Sequence, residues 1–186
     1  MRPSITALRE VRENAAISEL PHITFVLGGA RSGKSRHAEQ LVTSSAAPWV
    51  YIATAQTFDD EMRARVSEHQ ARRERGWHTI DAPVDLADAL AQAAGRPVLV
   101  DCLTIWLTNL LLGGHDVGVE TKALEMTLDR RDAPTVLVSN EVGLGIVPDS
   151  PLGRTFRDAA GRLNQRIAAR ADRVVFMVAG LPLTMK

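Results

Sequence analysis

Residues Gly28 to Ser35 read G-G-A-R-S-G-K-S, which satisfies G-x-x-x-x-G-K-[ST]. The neighbours give the match its force. The apolar run Ile23 to Leu27 leads straight into it, and a helical pattern opens at Lys34. A strand, a glycine-rich turn and a helix in that order form a cradle for phosphate. The glycines let the turn aim successive N–H groups inward, and the helix start adds unsatisfied donors. On this reading Gly28, Gly29, Ala30, Arg31, Ser32, Gly33, Lys34 and Ser35 bind a nucleotide. Lys34 meets the β and γ phosphates, and the Ser35 hydroxyl ligates Mg2+, a hard ion that prefers oxygen. The alternative is a glycine-rich strand-to-helix turn with no ligand.

The remainder of the chain repeats the same grammar. Short aliphatic runs predict strands at Ile23 to Leu27, Trp49 to Ala53, Pro97 to Asp101, Thr135 to Ser139 and Val174 to Val178. They scarcely alternate, as befits strands buried on both faces of a parallel sheet. Helical patterns fall at Lys34 to Thr43, Phe58 to about Glu74, Val84 to Ala93, Leu103 to Leu112, roughly Glu120 to Asp132, and Leu152 to Ala171. In the last, Ser150 caps, Pro151 suits the first turn, and Phe156, Ala160, Leu163 and Ile167 form an apolar stripe. Gly113 to Val119 reads as a surface loop. Alternating strands and helices imply a three-layer α/β domain over residues 23–186, preceded by an extension over residues 1–22. No internal repeat or second domain is evident.

Composition narrows the partners. The chain has 186 residues, 45% of them hydrophobic, enough for one core. Its 22 basic and 22 acidic side chains cancel, so bulk charge argues for neither nucleic acid nor an anionic membrane surface. A single cysteine, Cys102, provides no disulfide framework and fits a reducing cytoplasm. The most apolar stretch, from Leu103, is too short and too polar for a membrane span, and the opening residues lack the long apolar segment of a signal peptide.

A phosphate loop calls for a carboxylate on a neighbouring strand end. Asp101, closing the run P-V-L-V-D, is placed to hold Mg2+ or its water, or to contact nucleotide; the structural alternative, compatible with that role, is a cap for the helix that begins at Leu103. Asn140 and Glu141 follow a second apolar run, and ligands bind beyond the carboxyl ends of such strands. Glu141 is therefore either a substrate or metal contact or an anchor for its own loop. Thr54, Ala55 and Gln56 lie on the same rim. The Asn-Lys-x-Asp guanine-reading stretch of switch GTPases is absent.

The segment F-D-D-E-M-R-A-R-V-S-E-H-Q-A-R-R holds a histidine among arginines. Phe58, Met62 and Val66 recur every four residues and His69 follows three later, on the same helix face. Neighbouring cations would lower the imidazole pKa and keep it neutral, as attack on phosphorus requires. Without a ligand the same pattern describes a partly buried histidine ending an apolar stripe. His37 reads as a packing residue, and His22, His78 and His115 have no zinc-ligand spacing.

Several blocks in one order, "GGARSGKSRHAE", "YIATAQTFDDEMRARV", "DCLTIWLTNLL", "SNEVGLGIVP" and "FRDAAGRLNQRIAARAD", closely resemble the bifunctional adenosylcobinamide kinase/adenosylcobinamide-phosphate guanylyltransferase family of cobalamin biosynthesis. The resemblance runs from Ile23 to Lys186. It implies a doubly wound, mostly parallel α/β fold of the P-loop NTPase, RecA-like type, assembled as a homotrimer. It implies phosphorylation of adenosylcobinamide by ATP or GTP, then transfer of GMP from GTP to adenosylcobinamide phosphate. His69 matches the histidine that becomes guanylylated. Thr54, Ala55, Gln56, Arg72, Arg73, Asp81 and Asp101 match, or lie beside, nucleotide-contacting positions, with Ser35 and Asp101 toward Mg2+. Glu74 stands where the family often has proline, and Asp81 near a family glutamate. A kinase without nucleotidyl transfer, a GTP-binding regulator and a nucleic-acid-dependent ATPase are the rival readings. With three Trp, one Tyr and four Phe, the chain has no aromatic series to stack bases against.

Overall fold

The computed structural model describes residues 20–56 and 75–186. Its strands are β1 (Ile23–Gly28), β2 (Trp49–Ala53), β3 (Trp77–Asp81), β4 (Val98–Asp101), β5 (Thr135–Asn140), β6 (Arg173–Val178) and β7 (Leu181–Thr184). They form one sheet in the order β3-β2-β4-β5-β1-β6-β7. Every adjacent pair is parallel except β6 with β7. The helices are α1 (Lys34–Thr43), α2 (Leu86–Gln92), α3 (Leu103–Leu112), α4 (Val117–Leu128) and α5 (Pro151–Arg170).

The alternation of side chains along each strand divides the core into two layers. Val26, Leu99, Val136, Val138, Val175 and Met177 face α1, where Ala38 and Val42 are fully buried against them. Phe25, Ile52, Val100 and Leu137 point the other way, onto Leu90 of α2, Leu107 of α3 and Leu163 of α5, with Leu124 and Leu128 of α4 closing that layer. Each large aliphatic side chain buried here contributes about 1.5–3 kcal/mol. The same alternation fixes the direction of the strand ends: Asp101 follows Leu99, and Asn140 follows Val138, onto the α1 face.

The five anticipated strands are present. The sequence reading does not anticipate β3 or β7, and the reason is physical. Both are edge strands; β3 reads W-H-T-I-D with three of its residues exposed, and β7 carries Pro182 with all four exposed. A solvated edge loses the continuous apolar run that marks an inner strand. The expected loop from Gly113 to Val119 is shorter than predicted. Asp116 accepts hydrogen bonds from the N–H groups of Gly118 (2.8 Å) and Val119 (3.0 Å), so α4 starts at Val117 instead of Glu120, and it ends at Leu128 instead of Asp132. The helix expected from Phe58 to Glu74 lies outside the described residues. At α5 the expectation holds: Ser150 Oγ accepts from Gly153 N at 3.0 Å with Pro151 in the first turn, and Ala160, Leu163 and Ile167 are buried.

Two polar devices lock the helical layer. The buried Arg131 guanidinium donates to Leu90 O (2.8 Å) and Arg96 O (2.6 Å) around the end of α2, and to Thr135 Oγ1 (2.7 Å). It adds a charged donor at the carbonyl end of the helix, where the dipole is negative and Leu90 O otherwise accepts only from Ala93 N at 3.2 Å. Arg166 of α5 grips Glu125 of α4 with two bonds of 2.7 and 2.8 Å.

Candidate active site

The loop from Gly28 to Ser35 connects β1, an inner strand between β5 and β6, to the start of α1. Arg31 (φ 55°) and Gly33 (φ 90°) occupy the left-handed region, which curls the loop. At Gly28 only hydrogen fits: a Cβ would lie 2.6 Å from Ser32 Oγ and 2.8 Å from Met177 O. The loop is held from two sides. Glu141 N donates to Gly28 O at 3.1 Å. Gly180 N, in the tight β6–β7 turn, donates to Ser32 O at 3.1 Å. Inside the loop Lys34 Nζ donates to Gly29 O at 3.1 Å, while Ser32 Oγ is buried with no hydrogen-bond partner. Burial pushes the Lys34 ammonium below its ordinary pKa, against the opposing pull of the Asp101 carboxylate.

The other predicted residues line the same C-terminal rim of the sheet. Ala53 pairs with Asp81 on one side and Asp101 on the other, so β2 stands between the two carboxylates. Asp101 is half-buried and its Oδ2 accepts the Tyr51 hydroxyl at 3.2 Å. It lies two strands from Gly28, about 10 Å at normal strand spacing. Asp81 is exposed and four strands away, about 19 Å. A phosphate in the loop is out of its reach, so any contact made by Asp81 is with another portion of a ligand.

Thr54 is fully buried, and its hydroxyl is spent inside the protein. It accepts from Cys102 N (2.9 Å) and donates to Cys102 O (2.8 Å), tying the end of β2 to the residue after β4. Asn109 of α3 reinforces that corner, donating to Thr54 O (2.8 Å) and Pro83 O (2.9 Å). The Cys102 thiol is buried and pushed up to about 11 by desolvation first and by Asp101 second, so it stays protonated. Ala55 and Gln56 follow on the rim, half-buried. Glu141 anchors its own loop by accepting from Gly143 N. His37 is held below its usual pKa by burial and then by Arg173, and is neutral near pH 7. His69, Arg72 and Arg73 lie outside the described residues.

Residues that sequence reasoning missed support this rim from behind. Thr104 Oγ1 accepts from Asn140 N (2.6 Å) and contacts Ser139 Oγ (3.2 Å). Asn164 Nδ2 donates to Asn140 O at 3.2 Å. The one available signal was a polar residue, Asn164, beside Leu163 in the apolar stripe of α5.

A glycine-rich phosphate loop at the C-terminal rim of a mostly parallel sheet, with its lysine near a strand-end carboxylate, defines a P-loop NTPase. Solved structures share the fold. The flagellar accessory protein FlaH from Methanocaldococcus jannaschii superposes with TM-score 0.50 at 13% identity over 95% of this chain and 84% of that one. An ATPase from the type III secretion system of pathogenic bacteria gives 0.55 at 12% identity, over 91% and 60%. The chain belongs to the cobinamide kinase / cobinamide phosphate guanyltransferase family, whose model matches residues 24–185. It is 51% identical to the bifunctional adenosylcobalamin biosynthesis protein CobP of Pseudomonas aeruginosa, over 87% of this chain and 96% of that protein. It is 44% identical to the corresponding CobU of Escherichia coli, over 87% and 98%.

Proposed function

We propose that this chain is an adenosylcobinamide kinase and adenosylcobinamide-phosphate guanylyltransferase of cobalamin biosynthesis. The supporting observation is the phosphate loop with Lys34 and Asp101 on one face of the sheet, in a chain whose family match spans residues 24–185.

In the first reaction a hydroxyl oxygen of adenosylcobinamide attacks the γ-phosphorus of ATP or GTP, and the nucleoside diphosphate leaves. The loop amides and Lys34 hold the phosphates and offset the charge on the transferred group, and positioning supplies most of the acceleration. Asp101 and Glu141 are the rim carboxylates that could orient the acceptor. The donor set fits Mg2+. Ser35 and Asp101 offer hard oxygens, and among the described residues no group of three or more His, Cys, Asp or Glu gathers into a cage, so a metal here would share its shell with phosphate oxygens. When bound there, Mg2+ would offset negative charge on the phosphates.

In the second reaction His69 attacks the α-phosphorus of GTP. An N–P bond forms and pyrophosphate leaves; a phosphate oxygen of adenosylcobinamide phosphate then attacks, the N–P bond breaks, and adenosylcobinamide-GDP is released. Splitting the transfer keeps two highly anionic substrates from having to meet directly. Arg72 and Arg73 would offset phosphate charge. Ala55, Gln56 and Asp81 complete the proposed nucleotide contacts, while Thr54, buried and bonded to Cys102, braces that rim from inside instead of touching nucleotide itself. The reading extends to a cytoplasmic homotrimer, which sedimentation at several concentrations would test.

The deciding experiment supplies adenosylcobinamide, its phosphate, ATP and α-labelled GTP to purified protein. A covalent GMP adduct, labile in acid and stable in base, is expected. His69→Ala should lose the label and guanylyl transfer while keeping kinase activity. A label retained in His69→Ala would refute the assignment of the nucleophile.

A further inference from the structure

We propose that Asn140 contacts substrate in the kinase step, its side-chain amide binding the terminal phosphoryl group and the attacking hydroxyl together. This rests on the kinase reading above. β5 lies between β1, which ends in the phosphate loop, and β4, which ends in Asp101. Asn140 is paired in register with Gly28, the first glycine of that loop. Alternation from Val136 and Val138 puts its side chain on the α1 face, the face that also carries Asp101 and the start of α1 with Lys34. Going along the rim from the loop, Asn140 comes before Asp101, one strand spacing from Gly28, about 5 Å.

The residue is held as a fixed mount. Its backbone N–H donates to Thr104 of α3 and its backbone carbonyl accepts from Asn164 of α5. Helices on the opposite face thereby satisfy the main chain at the point where the β ladder stops. The side chain is treated differently: Oδ1 is withdrawn from solvent and has no hydrogen-bond partner. Leaving such an acceptor unpaired is costly, and an orphan beside a ligand cradle marks a contact that the ligand completes.

The chemistry of an amide suits that position. Oδ1 accepts the hydroxyl of the incoming alcohol, and Nδ2 donates to an oxygen of the γ-phosphoryl group. A carboxylate there would repel the phosphoryl group. During transfer the hydroxyl oxygen bonds the γ-phosphorus, the bond to the β-phosphate oxygen breaks, and the hydroxyl proton leaves to the phosphoryl oxygens or to solvent. Asn140 takes no proton; it aligns the two reacting atoms.

The test compares wild type, Asn140→Ala and the isosteric Asn140→Asp. Kinase kcat and KM are measured, along with Kd for a non-hydrolysable ATP analogue and for ADP, and guanylyl transfer started from adenosylcobinamide phosphate. Asn140→Ala should lower kinase kcat about 10- to 100-fold and shrink the preference for triphosphate over diphosphate. Asn140→Asp should weaken triphosphate binding further. At saturating GTP the GMP adduct should still form in both variants, with a smaller loss of rate than the kinase step shows. A folded Asn140→Ala with unchanged kcat and unchanged preference overturns the proposal, as does an equal loss of both activities with a lowered melting temperature. If Asn140→Ala does not fold, Asn140→Asp decides alone. Failure of the wild type to phosphorylate adenosylcobinamide would instead remove the kinase reading and this assignment with it.

Discussion

The Lys34 ammonium donates to the carbonyl of Gly29 at 3.1 Å, folding the lysine back over its own loop. This bond holds the amine in the loop, where an arriving β or γ phosphate can exchange the neutral carbonyl for a charged partner. Replacing Lys34 by Met should lower kinase kcat by about 100-fold or more, the loss typical of a transition-state charge donor. Melting temperature should stay the same or rise slightly, because burial already disfavours the charged amine. Parallel kinase assays and thermal melts check both.

Gly28→Ala tests the geometry of the loop rather than its charge. The added methyl would lie 2.8 Å from the Met177 carbonyl, so strand or loop must shift. Overpacking of this kind costs about 1–3 kcal/mol. Nucleotide affinity should fall with stability, and calorimetric titration of the folded variant would show whether the loop has opened.

Arg131 carries no catalytic duty in this scheme, yet its loss should be severe. Arg131→Met leaves the carbonyls of Leu90 and Arg96 without their charged donor at the end of α2. A destabilisation of about 2–4 kcal/mol is expected, read as a lower denaturant midpoint. Kinase and transfer activity measured well below that midpoint should be close to wild type.

The Glu125–Arg166 pair predicts a pH dependence. Hydrogen bonding by Arg166 holds the Glu125 carboxyl below its ordinary value of 4.5, against an opposing effect of burial. A depressed folded-state pKa contributes stability above the unfolded value, and that contribution disappears as pH falls through the folded one. Wild type should therefore lose stability below about pH 4.5, and Glu125→Gln should show a flatter acid limb from a lower starting point. Denaturant midpoints between pH 3 and 7 would reveal it.

How much of this was readable beforehand depended on where each residue gets its partners. β1, the phosphate loop and α1 were legible because an apolar run, a glycine motif and a helical period coincide within the stretch Ile23 to Thr43. The start of α5 was legible because Ser150 and Pro151 carry their capping chemistry locally. β3 and β7 were not, since a strand at a solvated edge has no burial to advertise. Asp116 sits in a glycine-rich stretch that resembles a loop until its carboxylate is seen taking two backbone N–H groups. Thr104 and Asn109 were invisible, and Asn164 showed only as a polar residue beside an apolar stripe, for a deeper reason. Each serves backbone atoms that are distant in sequence, so nothing in its own neighbourhood announces the task.

The placement of β1 has a consequence for the birth of the protein. The strand that ends in the phosphate loop leaves the ribosome ahead of both sheet partners it has among the described residues, Thr135–Asn140 and Arg173–Val178. A nascent chain stalled before residue 135 would own the whole glycine-rich loop with Lys34 and Ser35 and have neither flanking strand to brace it. Such long-range pairing is slow to establish and leaves apolar segments uncovered meanwhile. Triphosphate affinity measured on chains arrested at successive lengths should rise abruptly once residues 135–178 have emerged, making nucleotide capture a marker of the completed sheet.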